Sequence, residues 1–253
     1  MTHESATPHR AGFPQRFVAT LFRVPLLGPL LQGTWHLARR FLLHCGTRPA
    51  ARYYLGRHEI RKLHLGAGGA GFAGWFNTDL FPARWPVMRL DATKPFPLPD
   101  ASFHFVFSEH MIEHLPLTGG RNMVAECFRV LRPNGRVRLA TPDLARVVRL
   151  HTDSATPMHQ SYLAWSIRHN RLPTDLPSPA IVVNSLFHDH GHQFLFDEES
   201  LAALLRSAGF VEIRRCQPGE SDQAPLRGAE IHHHVIGVEA NCFETLVLEA
   251  RKP

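Results

Sequence analysis

Residues 61–80 read RKLHLGAGGAGFAGWFNTDL, an apolar strand that runs into a glycine turn and is followed closely by a second strand. Glycines in the turn remove the Cβ atoms that would keep a ligand away from the backbone, and they permit positive φ angles. Asp79 comes at the end of the second strand, where an acidic residue accepts hydrogen bonds from a ribose diol in doubly wound nucleotide-binding folds. The stretch therefore predicts a nucleoside-binding edge of a sheet.

The segment from Gly66 to Gly71 also satisfies the G-x-G-x-x-G pattern of NAD-binding oxidoreductases. That pattern requires a helix that begins at the glycines and an acidic residue about 20 positions further on. Asp79 comes too early, and residues 66–74 leave no room for a full helix that points its N-terminus at a pyrophosphate. A cofactor with a ribose but no phosphates fits better, and a nicotinamide-dependent oxidoreductase is the alternative.

The composition predicts one core with appendages in a reducing compartment. The chain has 253 residues, of which 44% are hydrophobic. Its four cysteines lack the C-x-x-C spacing of a structural zinc site and do not form a disulfide framework. We therefore expect a cytoplasmic protein.

Positive charge is concentrated at the N-terminus. Residues 1–57 carry eight arginines and one glutamate, whereas the rest of the chain carries 20 basic and 21 acidic side chains. The apolar run over residues 17–38 is interrupted by Arg23 and by prolines, so it does not span a bilayer. We predict a basic apolar arm over 1–57 that packs on the main domain or contacts a membrane surface, and a main domain over 58–253.

Apolar strand-like runs alternate with helical segments after the arm. The predicted strands are 62–65, 75–79, 87–91, 103–108, 136–141, 211–215 and 243–250. Helices are predicted over 117–131 and from Asp197 to Gly209, which has the position of a C-cap glycine. The apolar character of the strands predicts an α/β fold with a sheet covered on both faces.

A long insertion over 143–196, rich in histidine and proline, follows the fifth predicted strand and is predicted to open with a helix through Leu144, Val147, Val148 and Leu150. In open α/β sheets the ligand crevice lies beyond the carboxyl ends of the strands. An insertion at this point is therefore predicted to cover a substrate pocket.

These segments together resemble the S-adenosylmethionine-dependent methyltransferase superfamily, of the small-molecule type. LHLGAGG resembles its first motif and NTDL its second-strand acidic motif; LDATKPFPLPDASFHFVFSEHMIEHL and ECFRVLRPNGRVRLATPDL resemble the segments through its fourth and fifth strands. The resemblance covers about residues 60–253. It implies a Rossmann-like, doubly wound, mostly parallel seven-stranded sheet with an antiparallel last strand, and the short first loop resembles a compact bacterial subgroup.

The resemblance also implies cofactor roles for S-adenosylmethionine. By position these residues are Gly66, Ala67 and Gly68 for the methionine moiety, Asp79 with Leu80 beside it for the ribose, Asp91 with Ala92 for the adenine edge, and Ser108 near the sulfonium. For Asp91, capping of a turn is the open alternative. His64 stands where many relatives have an acidic residue, so another acceptor must serve the amino group of the cofactor.

Methyl transfer to a hydroxyl needs a base, and histidine is the usual one. His110 at the end of the fourth strand is the predicted base, and the adjacent Glu109 is a second predicted catalytic residue. His188 or His190 is predicted to bind the substrate or to act as a second base. No metal site is predicted, although one at His188, His190 and His192 stays open. The three histidines are two positions apart, so their side chains would point the same way only if the segment were a strand. Gly191 makes a strand unfavourable here.

Nucleic-acid amino-methyltransferases carry Asn or Asp, then Pro-Pro and an aromatic residue, where this chain has Ser108-Glu-His-Met111. The arm also lacks the interleaved aromatic residues of a single-strand binding surface. We therefore expect methyl transfer from S-adenosylmethionine to a hydroxyl of a small molecule, such as a sugar or a glycan intermediate, and no nucleic-acid partner. A cofactor-binding module without catalysis is the third class left open.

Overall fold

The computed structural model describes residues 46–253 except 70, 84, 154, 155, 174, 176 and 177. Thr47–Pro253 forms one compact unit. The predicted arm up to residue 45, with its packing and its membrane contact, lies outside the described residues. Helix α1, Thr47–Arg57, which the sequence groups with the arm, packs into the main core through Ala51 and Tyr54.

One sheet of seven strands organises the described residues. The strands are β1 Lys62–Leu65, β2 Phe76–Asp79, β3 Met88–Arg89, β4 Phe103–Glu109, β5 Leu131–Pro142, β6 Val211–Cys216 and β7 Thr245–Arg251. Their order is β3-β2-β1-β4-β5-β7-β6. Neighbouring strands run parallel to one another from β3 across the sheet to β5, whereas β7 runs antiparallel to both of its neighbours, β5 and β6. The Rossmann-like doubly wound fold, with its antiparallel last strand, is confirmed.

The order of the strands reverses between β1 and β4, and ligands bind doubly wound sheets at such a switch point. The carboxyl ends of these two strands lead into the glycine loop and into His110 respectively. The topology therefore brings the two predicted halves of the site together, although they are separated by the β2 and β3 segments in the sequence.

Helices cover the sheet. After α1 they are α2 Leu117–Val130, α3 Leu144–Thr152, α4 Pro157–His169, α5 Pro179–His188, α6 Glu198–Ser207, α7 His233–Ile236 and α8 Val238–Glu244. Helix α6 begins with a capping box between Asp197 and Ser200, and it ends before Gly209, whose φ of +100° is left-handed. Among the described residues no helix combines the length and the apolar character that crossing a bilayer requires.

The insertion after β5 forms helices α3, α4 and α5, of which only α3 was predicted from its apolar spacing. These helices have a small core of their own with α8, centred on Val147, Tyr162, Val182 and Phe243. The main core lies under β1, β4 and β5 instead. The insertion is thus a separate layer built at the carboxyl end of the sheet.

Candidate active site

Two left-handed glycines shape the loop after β1. Gly66 has a φ of +73° and Gly68 a φ of +51°, conformations that favour glycine. A Cβ on Gly66 would lie 2.6 Å from Cγ of Met111, so this position also admits the segment that follows β4. At Gly68 no described atom lies within 4 Å of the Cβ position. The open side of the loop is therefore at Gly68, while its closed side contacts the residue next to His110.

Asp79 ties the end of β2 to this loop. Its Oδ2 accepts a hydrogen bond from the amide of Gly68 at 2.8 Å, and its Oδ1 accepts one from the amide of Phe81 at 2.7 Å. A carboxylate offers about four lone-pair sites, so two remain for a ligand. The amide of Ala67 donates to the carbonyl of Thr78 at 2.9 Å. The loop and the carboxylate are thus fixed relative to each other before any ligand binds.

Asp91, after β3, caps a turn. Its Oδ1 accepts hydrogen bonds from the amide of Thr93 at 3.0 Å and from the hydroxyl of Thr93 at 2.6 Å. Burial acts to raise the pKa of Asp91, but these bonds outweigh it and the pKa is lowered. Ala92 is buried and Leu80 is 37% exposed. The turn-capping alternative for Asp91 is therefore observed, and its contact with adenine remains a prediction.

Ser108 lies near the end of β4, between Leu65 of β1 and Leu139 of β5. It is 1% exposed, and its hydroxyl has no hydrogen-bond partner among the described residues. A buried hydroxyl without a partner costs about 1–3 kcal/mol. An orphaned polar atom beside the glycine loop fits a site that is completed by a bound polar group, such as the cofactor assigned to this position.

His64, which replaces the usual acidic residue, is part of an aromatic layer on the sheet. Its ring stacks on Phe72 at 4.5 Å between centroids, and its Nδ1 lies 3.2 Å from Oδ1 of Asn77. Burial lowers the pKa of His64 to about 4. The side chain is therefore a neutral packing residue at ordinary pH.

His110 and Glu113 form a hydrogen-bonded pair directly after β4. Nδ1 of His110 lies 3.1 Å from Oε1 of Glu113, and Oε2 of Glu113 accepts a bond from the hydroxyl of Thr141 at 3.0 Å. Burial acts to lower the pKa of His110, but the hydrogen bond and charge of Glu113 outweigh it and the pKa is raised. This pairing fixes the ring and turns Nε2 toward the hydroxyl of Thr245, which lies at the long distance of 3.5 Å. Glu113 was not predicted, although its spacing of three residues from His110 was visible in the sequence.

Glu109 engages the backbone instead of the cavity. Its two oxygens accept hydrogen bonds from the amides of Ile231 and His232, both at 3.0 Å. Immediately before this segment, Glu230 makes a buried bidentate pair with Arg138 of β5. The predicted catalytic residue Glu109 thus holds the chain that presents His232.

His232 faces His110 across the site. The two ring centroids are 4.0 Å apart, and Nε2 of His232 lies 3.8 Å from Oε1 of Glu244. The hydroxyl of Tyr162, from the insertion, donates a short hydrogen bond to Oε2 of Glu244. No spacing in the sequence relates these residues, because they come from three distant segments.

These groups line a cavity of about 300 Å³. Its walls come from the ends of β4 and β5, from α3, α4 and α5, and from the region of α7 and α8. Its polar lining comprises His110, Glu113, His114, Ser166, His169, Asn170, His190, His192, His232 and Glu244. His188 does not line the cavity, and it is exposed at the end of α5. Of the insertion histidines singled out in the sequence, His190 and His192 are the ones placed at the site.

Residues 63–139 match a family model described as a methyltransferase domain. No curated protein matches the chain. Among solved structures, phosphoethanolamine N-methyltransferase 2 of Haemonchus contortus, in complex with S-adenosyl-L-methionine, is 15% identical with a TM-score of 0.42, and the match covers 82% of this chain and 52% of that chain. This chain thus spans about half of that enzyme.

Two microbial structures match over most of their length. A SAM-dependent methyltransferase from Archaeoglobus fulgidus is 14% identical with a TM-score of 0.45, over 81% of this chain and 92% of that chain. A SAM-dependent methyltransferase from Thermotoga maritima is 18% identical with a TM-score of 0.45, over 88% and 97%.

The matched segment runs from β1 into β5, so it contains the glycine loop, Asp79, Ser108 and His110. The sheet around that segment is the seven-stranded, mostly parallel sheet with an antiparallel last strand that the resemblance implied. The glycine loop, the tethered carboxylate and the orphaned hydroxyl of Ser108 fit a nucleoside cofactor without phosphates. Residues 63–139 of this chain are thus similar to a methyltransferase domain, and they lie in a sheet of the Rossmann-like fold.

Proposed function

We propose that the protein transfers a methyl group from S-adenosylmethionine to a hydroxyl of a small polar molecule bound in the histidine-lined cavity. The observation that carries the proposal is the pair of His110 and Glu113, which lies between the cavity and the glycine loop. His110 lines the cavity, and its neighbour Met111 packs against Gly66. An acceptor beside His110 is therefore close to the loop assigned to the cofactor.

The pair is suited to a hydroxyl acceptor because a neutral hydroxyl must lose its proton as it is methylated. Glu113 holds the imidazole through Nδ1, which directs Nε2 away from the carboxylate. A buried carboxylate in this position also stabilises the positive charge that the ring gains when it accepts a proton. His110 is thus the proposed proton acceptor and Glu113 the residue that orients it.

The cavity favours a small acceptor. Its volume of about 300 Å³ lies at the lower end of the range for ligand pockets. Val147, Trp165 and Val182 supply apolar wall, and Asn170 and His190 supply hydrogen-bonding groups. A single sugar ring or a molecule of similar size matches this mixture of walls. The insertion that contributes these residues is the proposed cover of the substrate.

The cofactor is proposed to lie along the loop at Gly66, Ala67 and Gly68. Asp79 has lone pairs left for the ribose hydroxyls, and the orphaned hydroxyl of Ser108 is available near the sulfonium. Holding the acceptor oxygen about 3–3.5 Å from the donor methyl would supply most of the acceleration, since the sulfonium is already activated. Exclusion of water by the insertion would protect that geometry.

Isotopically labelled donor and matched pairs of small acceptors, differing only in a hydroxyl or an amine, test the proposal. We expect label on the hydroxyl members, and a loss of roughly 100-fold or more in kcat for His110→Asn. Asparagine is chosen because it tolerates the left-handed backbone at position 110, where φ is +45°. Glu113→Gln should lower kcat less.

His234→Ala is the matched control, because His234 is an exposed histidine that does not line the cavity. It should retain the activity of the unmodified protein. Labelling confined to amines, or turnover of a hydroxyl acceptor that is unchanged in folded His110→Asn, would overturn the hydroxyl assignment. Donor binding, measured separately by calorimetry, checks that the variants keep the cofactor site.

A further inference from the structure

Three metal-ligating side chains converge in the cavity from distant parts of the chain. One ring nitrogen of His110, one of His232 and one carboxylate oxygen of Glu244 all lie within 4.8 Å of one another. Tetrahedral ligands at about 2.0–2.2 Å from a metal are about 3.3–3.6 Å apart, so side-chain movements of about 1 Å would close the site. The geometry points to a binding site for a divalent transition-metal ion, such as Zn²⁺, held by His110, His232 and Glu244.

Each proposed ligand is supported by a second residue, which is how ligating side chains are usually oriented. Glu113 holds Nδ1 of His110 and so leaves Nε2 as its ligating atom. The hydroxyl of Tyr162 donates to one oxygen of Glu244, leaving the other, which lies 3.8 Å from Nε2 of His232. Supporting bonds of this kind are more specific to a metal centre than the ligand residues alone.

His232 is placed by its backbone. Glu109 accepts the amide of His232, and the adjoining Glu230 is locked by the buried Arg138. The three residues that carry this support are therefore fully engaged away from the cavity. Cofactor binding as described above does not require His232 to be fixed by three supporting side chains. A histidine that coordinates a metal does need to be held in place.

The charges of the site also favour a cation. Glu113 and Glu244 are 0% and 7% exposed. The polar partners described for their carboxylates are histidines, Thr141 and Tyr162, with no arginine or lysine among them. Buried carboxylates are ordinarily paired with a positive group or bound to a metal. A divalent ion between His110 and Glu244 would supply that positive charge.

A second group of ligand types, Glu113, His114 and His192, lies beside the first. It is the weaker candidate, because both oxygens of Glu113 are already engaged by His110 and Thr141. Two imidazoles and one carboxylate, as in the first group, suit zinc, iron(II) or cobalt and leave open positions. Those positions face the cavity.

The inference deepens the proposed function, and rests on it only for the place of the acceptor. A hydroxyl bound to the cation would have a lowered pKa and would release its proton to water. In the metal-bound protein His110 therefore acts through the cation, and in the metal-free protein it acts as the direct proton acceptor. Binding of the cation itself requires neither donor nor acceptor.

Zinc binding by the full chain, stripped with a chelator and titrated in competition with a chromophoric chelator, tests the site. We expect one tightly bound Zn²⁺ per chain, with affinity lowered more than roughly 100-fold in His232→Ala and in Glu244→Gln. Glu113→Gln, which removes a supporting carboxylate, should lower it roughly 10-fold or more. Cobalt(II) in place of zinc should give a visible spectrum of low coordination number that both ligand variants lose.

His234→Ala controls for binding to exposed histidines, of which this chain has several, and should leave the tight affinity unchanged. Equal zinc affinity in the unmodified protein and in His232→Ala would overturn the site, as would tight binding that persists in Glu244→Gln. Two ligand variants are used because one of them can fail to fold, which circular dichroism detects. Zinc binding by a protein that methylates no hydroxyl would support the metal site and contradict the proposed function.

Discussion

The cofactor side and the acceptor side of this site are built in different ways. On the cofactor side, Asp79 and Gly68 are 11 positions apart and are joined by one hydrogen bond. On the acceptor side, Glu109 and His232 are 123 positions apart, and Tyr162 reaches Glu244 from the insertion. The proposed donor loop and its carboxylate are therefore close in the sequence, whereas the proposed acceptor cavity depends on contacts between distant segments. The acceptor side can change through its insertion while the donor side stays the same.

The largest effect is expected at Arg138, which anchors the acceptor side. This fully buried guanidinium pairs with Glu230 and with Glu249. Arg138→Met should lower the free energy of unfolding by about 4 kcal/mol, because it leaves the buried Glu230 without its counter-charge and Glu249 with Arg214 alone. Urea denaturation measures the change. On the same strand, Arg136→Met removes a solvent-screened pair with Glu212 and should cost much less.

Equal destabilisation by the two arginine variants would contradict the view that the buried network holds the acceptor side. Donor affinity sharpens the comparison further. The folded fraction of Arg138→Met should bind S-adenosylmethionine with unchanged affinity, because no residue of the glycine loop contacts Arg138 in the hydrogen bonds described.

On the cofactor side, the two left-handed glycines should differ in their response to a methyl group. Gly66→Ala combines an unfavourable φ with a contact of 2.6 Å to Met111, and should lower the free energy of unfolding by about 3 kcal/mol. Gly68→Ala has the unfavourable φ alone and should cost about 1 kcal/mol. Denaturation curves without ligand measure both changes.

Gly68→Ala, the variant with the smaller expected effect on stability, should have a clear effect on donor binding. A methyl group at Gly68 points to the open side of the loop, where the donor is proposed to lie, so it should weaken donor binding. Calorimetric titration with S-adenosylmethionine decides this. Unchanged donor affinity in folded Gly68→Ala would place the cofactor elsewhere and would break the assignment of the loop.

His64 gives a pH-dependent test of the same side. Burial holds the pKa of His64 at about 4, below the value of 6.5 for an exposed imidazole. The folded protein therefore binds fewer protons than the unfolded chain between these values, so the stability contributed above pH 6.5 is lost as the pH falls toward 4. By pH 5 the loss should be about 2 kcal/mol. The difference in unfolding free energy between the unmodified protein and His64→Gln, measured from pH 7 to 5, isolates this group.

A difference that stays constant over that pH range would mean that His64 does not titrate on unfolding as its burial implies. The side chain would then not be the neutral packing residue that its contacts with Phe72 and Asn77 indicate.

The contrast between the two sides also explains what the sequence could predict. Strands β1 and β2 and the C-cap at Gly209 were found because apolar runs and glycines are local signals. Helices α4 and α5 were not found, because α4 mixes polar and apolar residues without a clear helical period and α5 is a short, largely apolar run whose state periodicity alone does not decide.

The acceptor residues show the same limit. His110 was selected from its place after β4, and it lines the cavity. The pairing of His232 with Glu244, and the exposure of His188, depend on how the insertion and α8 pack. No spacing in the sequence reports such contacts, because they are formed between segments far apart in the chain.

The smallest effect is expected at Ser108, which lies where the two sides meet. Its buried hydroxyl has no described partner, so Ser108→Ala should raise the free energy of unfolding of the unliganded protein by about 1 kcal/mol. If the hydroxyl instead completes the cofactor site, the same variant should gain less stability from added S-adenosylmethionine than the unmodified protein does, because ligand stabilisation follows affinity. Thermal unfolding with and without donor measures both the change in stability and the response to donor.

Thr141→Val, on the neighbouring strand, is the control. The hydroxyl of Thr141 is bonded to Glu113, so its loss should destabilise the protein without changing donor binding. A stabilised Ser108→Ala that keeps the full response to donor would mean that the orphaned hydroxyl belongs to neither side, and the sulfonium would have to be placed away from the end of β4.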